Sequence, residues 1–242
     1  MMRSGNPALK GEVFTAVRAK SASDVMTIQG TTNKSLILLG LAMLTAYWAW
    51  VNPQASAPLL FPAVIGGFIV AIATVFKKEW SPITAPLYAV LEGVVLGAIS
   101  LVFEKTYPGI VMQAIGLTFG VLFSLLLAYK SRLIKVTENF KLGVFAATGG
   151  IALFYLVSMV ASLFGARFSI IFGNGLFAIG FSVFVVVIAA MNLVMDFDFI
   201  EKGAEAGAAK YMEWYGAFGL MVTLVWLYLE ILRLLAKLQS RR

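Results

Sequence analysis

Long uncharged apolar stretches alternate with short charged segments along this chain. Residues 35–76 contain no charged side chain, and neither do the 28 residues 168–195. Because a helix needs about 20 predominantly apolar residues to cross a bilayer, each of these stretches can supply at least one membrane span. The pattern predicts an all-α integral membrane protein with a bundle of seven transmembrane helices.

The predicted spans end where charges and turn residues interrupt the apolar pattern. They cover residues 35–51, 59–76, 83–103, 110–129, 142–164, a stretch of about 20 residues that ends near Met195, and 214–235. The chain then divides into a polar amino-terminal segment, 1–34, a seven-helix domain, 35–238, and a basic tail, 239–242. A polar loop is expected at 198–213, and each proline is expected at a helix start, in a loop or in the tail.

Lysine and arginine are unequally distributed between the two sides that these spans define. With the amino terminus inside, the inner segments carry 13 Lys/Arg and the outer loops carry 2. This asymmetry predicts a multi-pass membrane protein whose amino terminus is cytoplasmic, and we expect it in the cell inner membrane if the chain is bacterial, as a family resemblance described below implies. The basic carboxyl-terminal residues then fall outside, so either the last helix does not fully cross or the amino-terminal bias outweighs the tail.

The composition agrees with a membrane protein and excludes several classes of function. Hydrophobic residues make up 60% of the chain and charged residues 13%, against about 45–50% and about 25% in soluble domains. The absence of cysteine and histidine removes disulfides, thiol and imidazole catalysis, and the common zinc sites. There is no hydrolase or transferase motif, so we expect neither an enzyme nor a cofactor. Topology explains the net charge of +7, and no nucleic-acid binding is expected.

Two pairs of glycines have the spacing that favours close helix packing in membranes. Gly93 and Gly97 lie in the third predicted helix, and Gly116 and Gly120 lie in the fourth. Such spacing lets two backbones approach closely in lipid, so the third and fourth helices are predicted to pack together. The alternative is that the pairs arise by chance, since glycine is common in membrane helices.

Glu92 is the only charged residue of the third predicted helix. A carboxylate near the middle of a membrane helix costs about 2.5–3.5 kcal/mol on insertion scales, so a proton, a partner, a cation or a watered cavity must offset it. One interpretation is a proton or cation site that lines a path. The other is a protonated carboxyl that donates to a neighbouring helix and holds the bundle together.

Four residues of the last two helices complete the candidate site. Asp196 and Asp198 follow the sixth apolar stretch, and Glu230 and Arg233 lie in the seventh helix. Acids at a helix carboxyl end are disfavoured by the helix dipole, and at a spacing of two at most one aspartate should face the core. Glu230 and Arg233 can form a structural pair on one helix face. Glu92, Asp198 and Arg233 are the candidates for lining a cation path.

Several segments resemble one known family. The segments KYMEWYGAFG at 210–219 and LYLEILRLL at 227–235 are the most specific, and NPAL at 6–9, MTIQG at 26–30 and LEG at 91–93 agree with them. Over nearly its whole length the chain resembles the bacterial, YccA-like branch of the Bax inhibitor-1 family.

The resemblance implies seven helices with the last one central, and a pH-sensitive calcium leak channel. Asp196, in the pattern Asp-x-x-x-Ile completed by Ile200, matches the first acid of the family's proton-sensing latch, and Glu230 matches the second. The resulting hypothesis is that the two acids share a proton at low pH and repel each other as the pH rises, which opens a path. Weak calcium binding at Glu92, Asp196 and Glu230 is expected, without a tight metal site.

The same resemblance supports a second class of function. The chain also resembles modulators of a membrane-bound, ATP-dependent quality-control protease, a role in which the amino-terminal segment matters and the acids serve assembly. A third interpretation is a bundle with no transport of its own. The expected partners are the lipid bilayer and, in the second interpretation, a membrane protease or another membrane protein.

Overall fold

Seven long helices form the protein in the computed structural model, which describes residues 24–164, 173 and 175–241. All seven are long and apolar enough to cross a membrane, and the only β pairing among the described residues is an isolated bridge between Val25 and Ala209. The prediction of an all-α membrane bundle is confirmed. The helices are α1 Ile28–Val51, α2 Leu60–Phe76, α3 Ser81–Thr106, α4 Ile110–Lys130, α5 Glu138–Leu163, α6 Leu176–Glu205 and α7 Met212–Gln239.

Successive helices run in opposite directions through the bundle. We call the end of the bundle where α1 begins the near end, and the opposite end the far end. At the near end the Ser81 hydroxyl, where α3 begins, donates to the Tyr211 carbonyl before α7 at 2.9 Å. At the far end Lys237 of α7 donates to the Ser182 hydroxyl of α6 at 2.8 Å.

The last helix, α7, is the central one. It packs against α1, α3, α4 and α6, and Tyr155 of α5 reaches it through a hydrogen bond to Glu230. Of its most apolar stretch 56% is buried, against 17–44% in the other six helices. Helix α2 lies at the periphery, where the side chains of Phe61 and Phe76 are 74% and 80% exposed. Apolar side chains this exposed on a membrane-length helix indicate contact with the lipid bilayer.

Glycines bring α3 close to α1. A Cβ on Gly97 would lie 2.9 Å from Ala46 Cα of α1 and closer still to the Ala46 carbonyl oxygen, and a Cβ on Gly93 would lie 3.0 Å from Ala42 Cα. At Gly116 of α4 a Cβ would meet nothing within 4 Å. The close contact is therefore between α1 and α3, and the predicted glycine packing between the third and fourth spanning helices is wrong.

Helix α1 begins at Ile28, seven residues before the predicted start at residue 35. Thr27 caps it, because its side chain accepts a hydrogen bond from the Gly30 amide. The charged residue that suggested a later start, Lys34, lies inside the helix and pairs with Glu213 at the start of α7.

Helix α6 continues to Glu205, so Asp196 and Asp198 lie inside it and not at its end. The predicted polar loop at 198–213 is therefore reduced to residues 206–211. A helix can include these charges because Asp198 pairs with Lys202 one turn later, at 2.7 Å.

Helix α7 has 28 residues, Met212–Gln239, and is about 42 Å long at 1.5 Å per residue. This length does not favour the alternative in which the last helix crosses only in part. Its basic residues Arg233 and Lys237 lie within the helix and turn towards α5 and α6.

One proline lies inside a helix. Pro86 is the sixth residue of α3, so the prediction that each proline occupies a helix start, a loop or the tail is wrong for this position. The turn-rich segment between α1 and α2 is itself helical, with a short turn at Pro53–Ser56 and a 3₁₀ turn at Ala57–Leu59. In both turns a proline lies at the first or second position, where its missing N–H has no helical partner.

Candidate functional site

Glu230 lies in the far half of α7 and is only 2% exposed. Its Oε1 atom accepts hydrogen bonds from the Tyr155 hydroxyl of α5 at 3.0 Å and from Arg233 Nη1 at 2.9 Å. Its Oε2 atom is buried and has no hydrogen-bond partner among the described residues. The structural ion pair with Arg233 is therefore formed, and one carboxylate oxygen has no bond to the described part of the chain.

Lys237 extends this polar site towards the far end. It lies one turn beyond Arg233 and is 5% exposed. Its Nζ atom donates to the Ala178 carbonyl at 3.1 Å and to the Ser182 hydroxyl at 2.8 Å, both in the first two turns of α6. The far part of α7 thus carries one buried carboxyl and two cations on a face that is turned towards α5 and α6.

Glu92 lies in the middle of α3 and is half-buried. Tyr88, one turn before it, lies beside its carboxyl and packs edge-on against Phe218 of α7, with ring centroids 5.1 Å apart. On the other side, Glu92 Oε2 would be 3.9 Å from a Cβ on Gly67 of α2. The carboxyl therefore lies between α2 and α3, behind a tyrosine that contacts the central helix.

Asp198 belongs to a cluster of charged side chains at the near end of the bundle. Its Oδ2 atom lies 2.7 Å from Lys202 Nζ and 3.7 Å from Lys141 Nζ of α5. Lys141 also pairs with Glu138 at 2.7 Å. Because two lysines engage Asp198 and one of them, Lys141, joins α5 to α6, this arrangement favours a structural role for Asp198.

Asp196 is completely buried in α6, at 0% exposure. One turn before it, the Asn192 side-chain amide donates to the Thr148 hydroxyl of α5 at 2.8 Å. The described residues hold no group of three acidic side chains that could bind a metal ion together.

The family model described as Bax inhibitor 1 like matches residues 6–240, nearly the whole chain. The chain belongs to the Bax inhibitor 1 like family. The resemblance inferred from the segments at 210–219 and 227–235 is thus confirmed, and with it a multi-pass membrane protein of this family. No curated protein and no solved structure matches the chain.

In this Bax inhibitor 1 like protein the two acids of the expected latch lie at different depths. Asp196 is nine residues from the near end of α6, and Glu230 is nine residues from the far end of α7. Relative to the near end, Asp196 is about 13.5 Å deep and Glu230 about 27 Å deep. Contacts between Ile200 and Gly216 and between Ser182 and Lys237 fix this register. The two carboxyls are thus about 13.5 Å apart along the bundle axis, and direct proton sharing does not fit this geometry.

Glu213 was not among the candidate site residues predicted from the sequence, because it lies in a segment whose polar residues predict a loop. It is fully buried at the start of α7 and accepts hydrogen bonds from the Thr27 amide at 2.9 Å and the Thr27 hydroxyl at 2.8 Å. It also pairs with Lys34 and Lys210. A Cβ on Gly30 would overlap its carboxylate. The feature of the sequence that could have identified Glu213 is its place in the specific segment at 210–219.

Tyr155 and Lys237 were also missed. A tyrosine in an apolar helix carries no signal for a hydrogen bond to a residue 75 positions later. For Lys237 the signal was periodicity: Glu230, Arg233 and Lys237 follow one another at spacings of three and four, which places them on one face of α7.

Proposed function

We propose that this protein is a pH-sensitive cation leak channel that passes calcium across the cell inner membrane, with a cytoplasmic amino terminus and no enzymatic activity. Membership of the Bax inhibitor 1 like family and the seven-helix bundle support this proposal. The observation that carries it is the Glu230 carboxyl. It is buried in the central helix, and among the described residues only one of its oxygens is hydrogen-bonded.

Protons and calcium compete for such a carboxyl. The ionised form attracts a cation, and the neutral form does not, so low pH should close the path and high pH should permit flux. Calcium prefers oxygen ligands, and conduction requires sites that are weak enough to release the ion. The Glu230 Oε2 atom, which has no hydrogen-bond partner among the described residues, supplies such an oxygen.

The three carboxyls that are expected to bind calcium weakly lie at successive depths. Counted from the near end of its own helix, Asp196 is about 13.5 Å deep, Glu92 about 16.5 Å and Glu230 about 27 Å. This succession supports a path with several weak points instead of one latch. Helix α7 packs against α1, α3, α4 and α6 and is hydrogen-bonded to Tyr155 of α5, so it is the element whose movement would open or close the path.

Calcium flux tests the proposal. The purified protein is reconstituted in liposomes that contain a calcium-sensitive dye, and uptake is followed between pH 5 and pH 8. Wild-type flux should rise with pH, and Glu230→Gln should give low flux at every pH because an amide does not ionise. Glu205→Gln, an exposed acid at the end of α6, is the matched control and should keep the wild-type profile. A Glu230→Gln variant with the wild-type pH profile would contradict the proposal.

A double-mutant cycle separates independent carboxyls from a shared-proton latch. If Asp196 and Glu230 shared one proton, either Asp196→Asn or Glu230→Gln would change the pH profile as much as the double variant does. At an axial separation of about 13.5 Å, the two effects should instead add within about 0.5 kcal/mol. Strong non-additivity of the flux changes would restore the latch.

The structure also favours one feature of the second candidate function, modulation of a membrane protease. The chain just before α1 is fixed to the turn before α7, because the Met26 amide donates to the Ala208 carbonyl at 2.7 Å and the Lys210 amide to the Asp24 carbonyl at 2.6 Å. A partner that binds the segment before residue 24 would therefore be linked to the central helix. Deletion of residues 2–23 tests this role: lost protease modulation with intact flux supports it, and unchanged modulation refutes it.

A further inference from the structure

Arg233 is held against Glu230 by two elements. Its Nη1 atom donates to Glu230 Oε1 at 2.9 Å and to the Tyr155 hydroxyl oxygen at 2.9 Å. Its guanidinium lies over the Tyr155 ring, with Cζ 5.4 Å from the ring centroid, where a cation is attracted by the aromatic face. The tyrosine thus holds the cation and the carboxylate in one arrangement across α5 and α7.

The two members of this pair differ in exposure. The Glu230 side chain is 2% exposed and the Arg233 side chain is 37% exposed. A long, partly exposed arginine can turn its charged end to water while its stem stays packed, whereas the carboxyl is enclosed by the bundle. The arginine is therefore the member that can leave, and its departure exposes a buried carboxylate whose second oxygen has no hydrogen bond among the described residues.

The charges that face Glu230 are mostly positive. On α7 they are Arg233 and Lys237, and on α5 the titratable group is Tyr155. Helix α6 contributes the Ser182 hydroxyl, and residues 110–128 of α4 contain no titratable side chain. On α3 the acid at the far end, Glu104, accepts hydrogen bonds from the amides of Gly109 and Val111. Among the described residues, a mobile cation that enters along α7 from the far end therefore meets Lys237 and Arg233 before it reaches the Glu230 carboxylate.

We propose that Arg233 is a tethered cation that occupies the Glu230 carboxylate at rest and competes with the mobile cation for it. The inference rests on the proposed function, because it concerns the occupancy of the same path. It adds a residue that sets how tightly the path binds its cation, and it assigns Tyr155 the part of a positioning residue that keeps Arg233 in place. Removing the Arg233 side chain should strengthen calcium binding and increase calcium flux, whereas removing the Glu230 carboxylate should abolish both.

The experiment compares Arg233→Gln and Tyr155→Phe with the wild type. Arg241→Gln, which removes the same charge from an exposed position, is the matched control. Calcium binding to the purified protein in detergent is measured by equilibrium dialysis with radioactive calcium at pH 8. Calcium flux is measured in liposomes between pH 5 and pH 8.

Arg233→Gln should bind calcium about fivefold more tightly, the equivalent of ~1 kcal/mol, which is the upper range for an ion pair with one exposed member. Its flux at pH 8 should rise, because the arginine no longer occupies the carboxylate. Tyr155→Phe, which keeps the ring and loses the hydroxyl, should shift both quantities in the same direction by less. A purely structural role would not tighten calcium binding.

Two outcomes overturn the inference. The first is that Arg233→Gln binds calcium no more tightly than Arg241→Gln. This result counts when the wild type conducts calcium and Arg233→Gln elutes as a folded protein on size exclusion. The second is a gain in Arg233→Gln that survives in the double variant with Glu230→Gln, since the gain then does not come from the freed carboxylate. Wild-type liposomes without calcium flux at any pH would instead refute the proposed function, and a binding gain in Arg233→Gln would still support the tether.

Discussion

The two glycine pairs of this chain permit a matched test of how the bundle is held together. Gly97 faces α1, where an added Cβ would lie 2.9 Å from Ala46 Cα, while Gly116 faces open space. Carbon atoms in contact are ordinarily about 3.5–4.0 Å apart. A Gly97→Ala variant must therefore push α1 and α3 apart by the better part of an ångström, against backbone atoms that cannot rotate away.

The expected cost follows from this geometry. Overpacking typically costs about 1–3 kcal/mol, and replacing a mid-helix glycine by alanine returns about 0.5–1 kcal/mol. A net loss of ~1 kcal/mol corresponds to a fall of about 2–4 °C in the unfolding temperature of a chain of this size. Gly116→Ala gains the helix-stabilising effect of alanine without overpacking, and should be neutral or slightly stabilising.

The assay is thermal unfolding of both variants in the same detergent, followed by the fluorescence of the five tryptophans. The prediction is a lower midpoint for Gly97→Ala and an unchanged or higher midpoint for Gly116→Ala. Equal midpoints in the two variants would show that the α1–α3 contact is not as close as described, and the reasoning from packing would fail.

Three further predictions concern the acids. Glu213→Gln removes the buried charge between two lysines and should cost about 1–3 kcal/mol, seen as a lower unfolding midpoint than that of the exposed control Glu205→Gln; equal midpoints would contradict the anchoring of α7 to the start of α1. Glu92→Gln should lower calcium flux in liposomes at pH 8, and unchanged flux would assign Glu92 to structure alone. Asp198→Asn should keep the wild-type dependence of flux on pH, because two lysines already engage this carboxylate, and a shifted profile would place it on the path.

The spans could be predicted from the sequence because a bilayer leaves few alternatives. Backbone polar groups must be satisfied within the segment, so an apolar stretch of sufficient length becomes a helix. The helix ends could not be predicted from charge, since a charged residue continues a helix when it finds a partner. Lys34 pairs with Glu213, and Asp198 pairs with Lys202, and in both cases the helix runs on.

The contacts between helices were harder to predict than the helices. Glycine spacing indicated a close approach at Gly93 and Gly97 but carried no information about which helix approaches. The pair of Glu230 with Arg233 was predictable because it is local, whereas the contribution of Tyr155 comes from a different helix. The depth of Asp196 and Glu230 in the bundle depends on where α6 and α7 begin and end. The expected pairing of these two acids could therefore not be judged from residue types alone.

The central claim is that ionisation of Glu230 controls passage of calcium. Its most direct test is the ratio of calcium efflux at pH 8 to efflux at pH 5 from the same preparation of liposomes, for the wild type and for Glu230→Gln. The account predicts a ratio well above one in the wild type, because the passage of calcium depends on the ionised carboxyl, and a ratio near one in the variant, because an amide does not ionise. The same large ratio in both proteins would contradict it.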